Sequence, residues 1–230
     1  MPVIVKRCKR YKEDAKKVPE KAVSVDDAVD VVKSFKAMKF DQTVELIVSL
    51  GINAKQADQA IRGSLSLPHG VGATKRVVAF CGDHLAEGAK AAGAVRAGGQ
   101  DLVSAIEKEN FTDFDVAIAT PEMMRFVGRL GKVLGPKGLM PSPKAGTVTN
   151  DLATAIKEYA AGKVEFRNDT GGNIHVAVGK QSFEKQKLVE NINAMVGQLR
   201  RMKPQTAKGQ YFKKAIIKGT MTPAVVIDVH

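Results

Sequence analysis

The sequence predicts a chain of mixed α/β and α+β class, folded as two domains, one of them assembled from both chain ends. Three observations carry this. Residues 70–160 alternate short apolar strands with helical patterns, the signature of βαβ units and a small, mostly parallel sheet. The two end pieces each supply strands and a helix, yet neither makes a sheet alone, so a composite domain 1–69 plus 161–230 with 70–160 inserted is expected. Charge divides the same way. Residues 1–69 carry 13 basic and 9 acidic side chains, 70–160 carry 11 and 10, and 161–230 carry 12 and 5, so the end pieces hold +11 of the net +12.

Ser24 with Asp27 forms a capping-box pattern ahead of Ala28, Val31, Val32, Phe35 and Met38, which predicts a helix ending near Lys39. TVELIVSL then alternates, with Val44, Leu46, Val48 and Leu50 on one strand face and Thr43, Glu45 and Ser49 on the other. One face is core; the other is left for water or a partner. A short helix over 54–62 and a strand around Leu65 and Leu67 lead to the PHGVG boundary at 68–72.

The inserted part reads as a strand at 77–81, a helix at 85–92, a short strand near Val95, a helix at 101–110 and a strand at 115–119. A helix from Pro121 behind a Thr120 cap comes next, then one capped by Asn150 and ended at Gly162. Beyond it, 163–167 and 174–179 read as a β-hairpin around NDTGGN, succeeded by a long helix over 184–202 and strands at 211–219 and 222–229.

A net charge of +12 in 230 residues, with a pI near 9.7, points to an anionic partner, nucleic acid first. Cys8 and Cys81 are far apart and form no CxxC or Cys/His ligand pattern, so no disulfide framework, zinc module or other metal site is expected. No signal peptide or membrane-length apolar run is read, and a reducing cytoplasm fits. His69, His84, His175 and His230 show no ligand spacing, and no nucleophile elbow occurs, so neither an enzyme nor a cofactor is expected.

GKVLGPKGLMPSPKAGTVT, residues 131–149, is not a phosphate loop. Its glycines at 131, 135 and 138 miss the required spacing, no Ser or Thr comes after Lys132 or Lys137, and the stretch lies behind a helix where a phosphate loop lies behind a strand. GVGATK at 70–75 fails the dinucleotide pattern because it precedes its strand. Within 125–146, Arg125, Arg129, Lys132, Lys137 and Lys144 occur without an acid, which makes a shaped, positive surface. The segment Lys6, Arg7, Lys9, Arg10, Lys12 is a second basic run, either a solvated tail or a nucleic-acid contact.

RFVGRLGKVLGPKGLMPSPKAGTVT strongly resembles the signature region of the bacterial large-subunit ribosomal protein L-one family, the universal ribosomal stalk proteins. AMKFDQTVEL, AKQADQAIRGSLSLPHG, VEFRNDTGGNIHVAVGK and GTMTPAVVID extend the likeness over nearly the whole chain. The resemblance implies an inserted Rossmann-like three-layer domain and a composite RNA-binding domain. It implies large-subunit ribosomal RNA, exit-site tRNA and the protein's own messenger RNA as partners, on a cytoplasmic ribosome, with a free form that is monomeric and touches no membrane.

The family's RNA-contacting positions fall on Lys39, Phe40, Thr43, Glu45, Arg167, Asp169, His175, Lys180, Thr220 and Met221, with the basic residues of 125–144 as a secondary RNA- or tRNA-facing edge. Thr43 and Glu45 can hydrogen-bond ribose and base groups, the cations can meet phosphates, and Phe40 and Met221 can lie against sugar or base. Two departures stand out: Thr222 replaces the family glycine of TMG, and Thr170 replaces the lysine common after Asn-Asp. Alternatives are a nucleotide-dependent α/β enzyme, which lacks the loop it needs, and a nonspecific DNA binder, which would not prefer folded RNA.

Overall fold

The computed structural model describes residues 7–56, 58–109 and 111–229; Lys6 of the basic run, Ala57, Asn110 and His230 lie outside the described residues. In chain order the elements are α1 (Lys9–Ala15), α2 (Val25–Ser34), β1 (Thr43–Leu50), β2 (Arg62–Leu65), β3 (Val77–Phe80), α3 (Asp83–Ala91), β4 (Arg96–Gly98), α4 (Gln100–Glu109) and β5 (Val116–Ala119). Then come α5 (Met124–Val127), α6 (Gly131–Leu134), α7 (Leu152–Ala160), β6 (Val164–Arg167), β7 (Asn173–Lys180), α8 (Lys185–Arg201), β8 (Phe212–Gly219) and β9 (Val225–Ile227), with 3-10 turns at Gly128–Leu130 and Pro143–Ala145. No helix among the described residues is long and apolar enough to cross a membrane.

Two compact units divide the chain: Met1–Ile61, Leu67–Gly72 and Phe166–His230 form the first, and Arg62–Ser66 with Ala73–Glu165 form the second. The crossings differ from the expected 69/70 and 160/161. β2 packs with the Pro143–Ala145 turn and therefore goes with the second unit. The chain then returns to the first unit, where the buried Asn191 side chain of α8 accepts from His69 N (3.2 Å) and donates to Gly70 O (3.0 Å) and Val178 O (2.8 Å).

The first unit is a four-stranded antiparallel sheet, order β7-β1-β8-β9. The alternation of β1 buries Val44, Leu46, Val48 and Leu50, each 1 % exposed, in a sheet that α2 (buried Ala28, Val29, Val32) meets at β8 and β9 and α8 (buried Leu188, Ile192, Met195, Leu199) meets at β7. Ser24 caps α2 as expected, its Oγ accepting from Asp27 N at 3.2 Å. The helix stops at Ser34, short of the expected Lys39, because Phe35 turns extended and its neighbours bond elsewhere. Lys17 Nζ donates to Ser34 O, and buried Asp14 of α1 accepts from Lys36 N.

Two further expectations fail for local reasons. Among the described residues of 54–62 no helix forms; Asn53 Oδ1 accepts from Lys55 N and Gln59 Oε1 accepts from Asn53 N, so side chains hold turns there instead. The hairpin of β6 with β7 does not form, since β6 pairs with β2 and β7 with β1; the bridge Asn168–Ile174 and the bond from Asp169 N to Asn173 O join the two at the turn. Of the basic run read as either a solvated tail or a nucleic-acid contact, Lys9, Arg10 and Lys12 lie in α1, which buries Asp14.

The second unit holds a three-stranded parallel sheet, order β4-β3-β5. Its strands are covered on both faces. Val78, Phe80, Ala117 and Ala119 pack with Leu102, Val103 and Ile106 of α4 and with Val127, Leu130 and Leu134; Val77, Ala79, Cys81 and Ile118 pack with Ala89 of α3 and with Leu152, Ala155, Ile156 and Tyr159 of α7. Helix starts shift slightly. Turns at 121–123 delay α5 to Met124 with no side-chain cap from Thr120, and Asp151, rather than Asn150, caps α7 by accepting from Thr154 N (3.2 Å).

Candidate nucleic-acid interface

Antiparallel registry places directly opposed residues on one face, so the uncovered face of the first unit can be read row by row. Ala177, Glu45 and Lys218 make one row; His175, Ile47, Ile216 and Val226 the next; Asn173, Ser49 and Lys214 the third. Glu45 pairs with Lys218 at 3.3 Å.

At the start of β1 the simple alternation breaks. Glu45 opposes Ala177 but Val44 opposes Gly179, so β7 carries one extra residue, a β-bulge at Val178. The bulge reverses the facing of the residues after it: Lys180, which strict alternation from Ala177 would turn toward the core, lies opposite Thr43 and donates from Nζ to Thr43 Oγ1 at 2.9 Å. The end of β8 meets the same place, since Val44 also opposes Gly219. Thr220 Oγ1 lies 3.4 Å from Thr43 O.

Met221 is held on both sides of its Cα, through its backbone N–H and its carbonyl. Its N–H donates to Oε1 of buried Gln42 at 2.9 Å, and its carbonyl accepts from Arg10 Nη2 at 2.8 Å. The side chain is left 51 % exposed, and Phe40, just ahead of β1, is 49 % exposed. Lys39 is exposed beside it. Both large apolar groups therefore face solvent rather than filling the core, against the general tendency of Phe and Met.

Thr222, which stands where the family glycine is expected, is buried and turned inward. Its Oγ1 accepts from Gly219 N at 2.8 Å and closes the β8–β9 turn, so the side chain does not stand between Met221 and solvent.

The remaining expected residues gather at the other end. Arg167 is exposed at the end of β6, and Asp169 and His175 are 4.0 Å apart. Asp169 is a loop builder: its Oδ1 accepts from Gly171 N (2.8 Å) and Asn173 N (2.7 Å), and its Oδ2 from Asn173 Nδ2 (3.0 Å). Donation from the Asn173 side chain, then its backbone, holds the carboxyl below the ordinary 3.8. Gly172, at φ +80°, completes the loop in a conformation that favours glycine. Ser49 opposite Asn173 and Thr43 opposite Lys180 mark the two groups, so about six residue steps, roughly 20 Å, of strand separate them. Thr170 is exposed in that loop.

Lys218, Lys214 and Gln42 belong to this face or its supports and were not singled out from sequence, whereas Arg10 lies in the basic run read as a solvated tail or a nucleic-acid contact. The period-two spacing of Lys214, Ile216 and Lys218 in KKAIIKG was available as a signal for the first two. Nothing local marks Gln42, nor the part Arg10 plays in holding Met221; both depend on contacts across 179 and 211 positions.

In the second unit, 131–149 is a folded wrap. Leu134 enters the core, Gly146 at φ +73° ends the second 3-10 turn, and Thr147 Oγ1 takes Ser142 N at 2.7 Å. Val148 bridges Ala119 in parallel, extending the sheet edge, and Tyr159 Oη donates to Ala145 O at 2.6 Å. Arg125, Arg129 and Lys132 recur at spacings of four and three opposite buried Val127, Leu130 and Leu134, and all three are exposed, as is Lys144. Lys137 is also exposed and bonds Thr112 Oγ1.

Comparison with known proteins places the chain among the ribosomal proteins. The family model described as "Ribosomal protein L1p/L10e family" matches residues 32–223, and the chain belongs to that family. It is 49 % identical over 224 residues to the large ribosomal subunit protein uL1 of Thermosipho africanus, covering 97 % of each chain. It is 50 % identical to the uL1 of Thermosipho melanesiensis at the same coverage, and 48 % identical to that of Kosmotoga olearia over 97 % of this chain and 96 % of the relative. The chain is accordingly a structural constituent of the large ribosomal subunit, in a family of structural proteins rather than enzymes.

Proposed function

We propose that the first unit anchors the protein on large-subunit ribosomal RNA through the uncovered sheet face, with its tightest contacts at the start of β1. The observation that carries this reading is the clamped Met221. A residue whose backbone N–H and carbonyl are fixed by Gln42 and Arg10 presents its exposed side chain from a set backbone, so little ordering remains to be done on binding. Around it, Lys39 and Lys180 meet phosphates, Thr43, Glu45 and Thr220 offer groups to ribose 2′-OH and base edges, and Phe40 covers a sugar or base. Arg167, Asp169 and His175 form the far edge of the contact. The division into an RNA-binding composite domain and an inserted Rossmann-like domain belongs to this proposal.

The exposed arginines and lysines at 125, 129, 132, 137 and 144 make a secondary edge facing exit-site tRNA or RNA, so that the protein assists tRNA movement and release from the mobile stalk. The same first-unit face binds the protein's own messenger RNA and represses its translation.

The test is affinity for a large-subunit RNA fragment at fixed salt. Met221→Ala and Thr43→Ala each lose about 1 kcal/mol, roughly fivefold, with circular dichroism unchanged. Unchanged affinity in both variants would sink the assignment.

A further inference from the structure

Beside the clamped Met221 lies a cleft of about 380 Å³, within the roughly 300–1,000 Å³ typical of small-ligand sites. Arg7, Cys8 and Tyr11 form one wall; Lys218, Thr220 and Met221 form the other, with Arg10 between them. Among the described residues no acid lines it, and three cations do. Arg10 is committed to Met221 O and to Asp14, 3.7 Å away, and Lys218 is shared with Glu45. Arg7 is different. Its guanidinium sits 4.8 Å from the centre of the Tyr11 ring, and among the described residues its N–H groups have no hydrogen-bond or carboxylate partner.

We propose that this cleft is a subsite of the RNA interface that holds one unpaired nucleotide, its phosphate on Arg7 and Lys218 and its base between Tyr11 and Met221. The chemistry fits an RNA strand end to end. A planar guanidinium fork takes two phosphate oxygens at once, the ammonium adds a point charge, and a ring and a thioether give apolar cover to a base face. It also gives α1 a purpose. Asp14 and Arg10 tie the helix to the loop before β1 and to the β8–β9 turn, so the helix carries Arg7 and Tyr11 to the edge of the site.

This inference rests on the RNA-binding reading, and Cys8 allows the two to be tested apart. Its thiol is exposed in the cleft wall, whereas Cys81 is fully buried and serves as an unreactive reference. Alkylation of the full chain by iodoacetamide is monitored with and without the large-subunit RNA fragment, with binding measured in the same samples. Saturating RNA is expected to slow Cys8 alkylation by about tenfold or more. Arg7→Gln is expected to lower the slope of log K against log salt by about 0.7, one single-strand phosphate contact.

If the RNA binds and Met221→Ala weakens it, yet Cys8 reacts at its free rate or the Arg7→Gln slope is unchanged, the subsite is wrong and the RNA face stands. If the RNA does not bind, both fall. Equal protection by millimolar inorganic phosphate without RNA overturns the assignment to a polynucleotide.

Discussion

β1 and β3 are both apolar-rich strands at interior positions of their sheets, yet every second residue of β1 is half-exposed while all four residues of β3 are buried. The difference comes from the elements that cover each sheet. Helices α2 and α8 lie on one face of the first sheet, whereas the second has α4, α5 and α6 on one side and α3 and α7 on the other. A parallel sheet connected by helices is buried twice over, while an antiparallel one needs only one covered face. Charge obeys the same division: the first unit carries 23 Lys and Arg against 13 Asp and Glu, the second 13 against 11. A sheet face is therefore free to serve a polyanion in the first unit, and only loops and helix surfaces are free in the second.

The largest effect expected from this contrast comes from placing the same charge on both sheets. Ala79→Asp puts an unpaired carboxylate where the side chain is 0 % exposed, and it costs about 3–5 kcal/mol, enough to unfold the second unit. Ser49→Asp, directly across from Lys214, changes stability by less than about 0.5 kcal/mol. Denaturant unfolding monitored by circular dichroism measures both, and equal losses would erase the distinction between the two sheets.

The same contrast governs how much could be read from sequence. TVELIVSL declares a half-buried strand by its alternation, and VVAF a fully buried one by its lack of alternation; both are legible because burial acts residue by residue. Lys180 is named by resemblance, but the physical reason it can act lies in the bulge at Val178, which no periodicity announces. The misread hairpin has a similar cause. β6 and β7 are adjacent in sequence and each is a good strand, but partner choice is decided by β2 and β1, more than 100 positions away. Met221 is legible as a residue and not as a clamped one, because Gln42 and Arg10 reach it only through the fold.

Buried polar anchors offer an intermediate test. Asn191 is fully buried and satisfies one backbone N–H and two carbonyls, so Asn191→Ala leaves three groups without it and costs the first unit about 2–3 kcal/mol. Tyr159→Phe in the second unit removes the hydroxyl's bonds with Ala145 O and the Ser64 side chain and costs about 1–2 kcal/mol. Midpoints of urea unfolding rank the two. A larger loss for Tyr159→Phe would mean that the 131–149 wrap, rather than the chain return at 67–72, is the more dependent on a single side chain.

The smallest effect concerns Asp169 and whether the far edge of the first-unit face is held by its own loop. Its carboxylate accepts three hydrogen bonds from Gly171 and Asn173, led by the Asn173 side chain, and its pKa lies below the ordinary 3.8. A depressed folded-state pKa means that the charged form is the stabilising one: its contribution is present above the unfolded value and is lost as pH falls through the folded one. The amide resonances of Gly171 and Asn173 should therefore titrate together with a midpoint below 3.8, and Asn173→Ala should move the remaining Gly171 midpoint up toward that value. A midpoint at or above 3.8 in the native chain would mean that the loop does not hold the carboxylate. Asp169 would then be free to meet RNA, and the far edge of the face would resemble its near edge, where Glu45 already shares Lys218 across a strand pair.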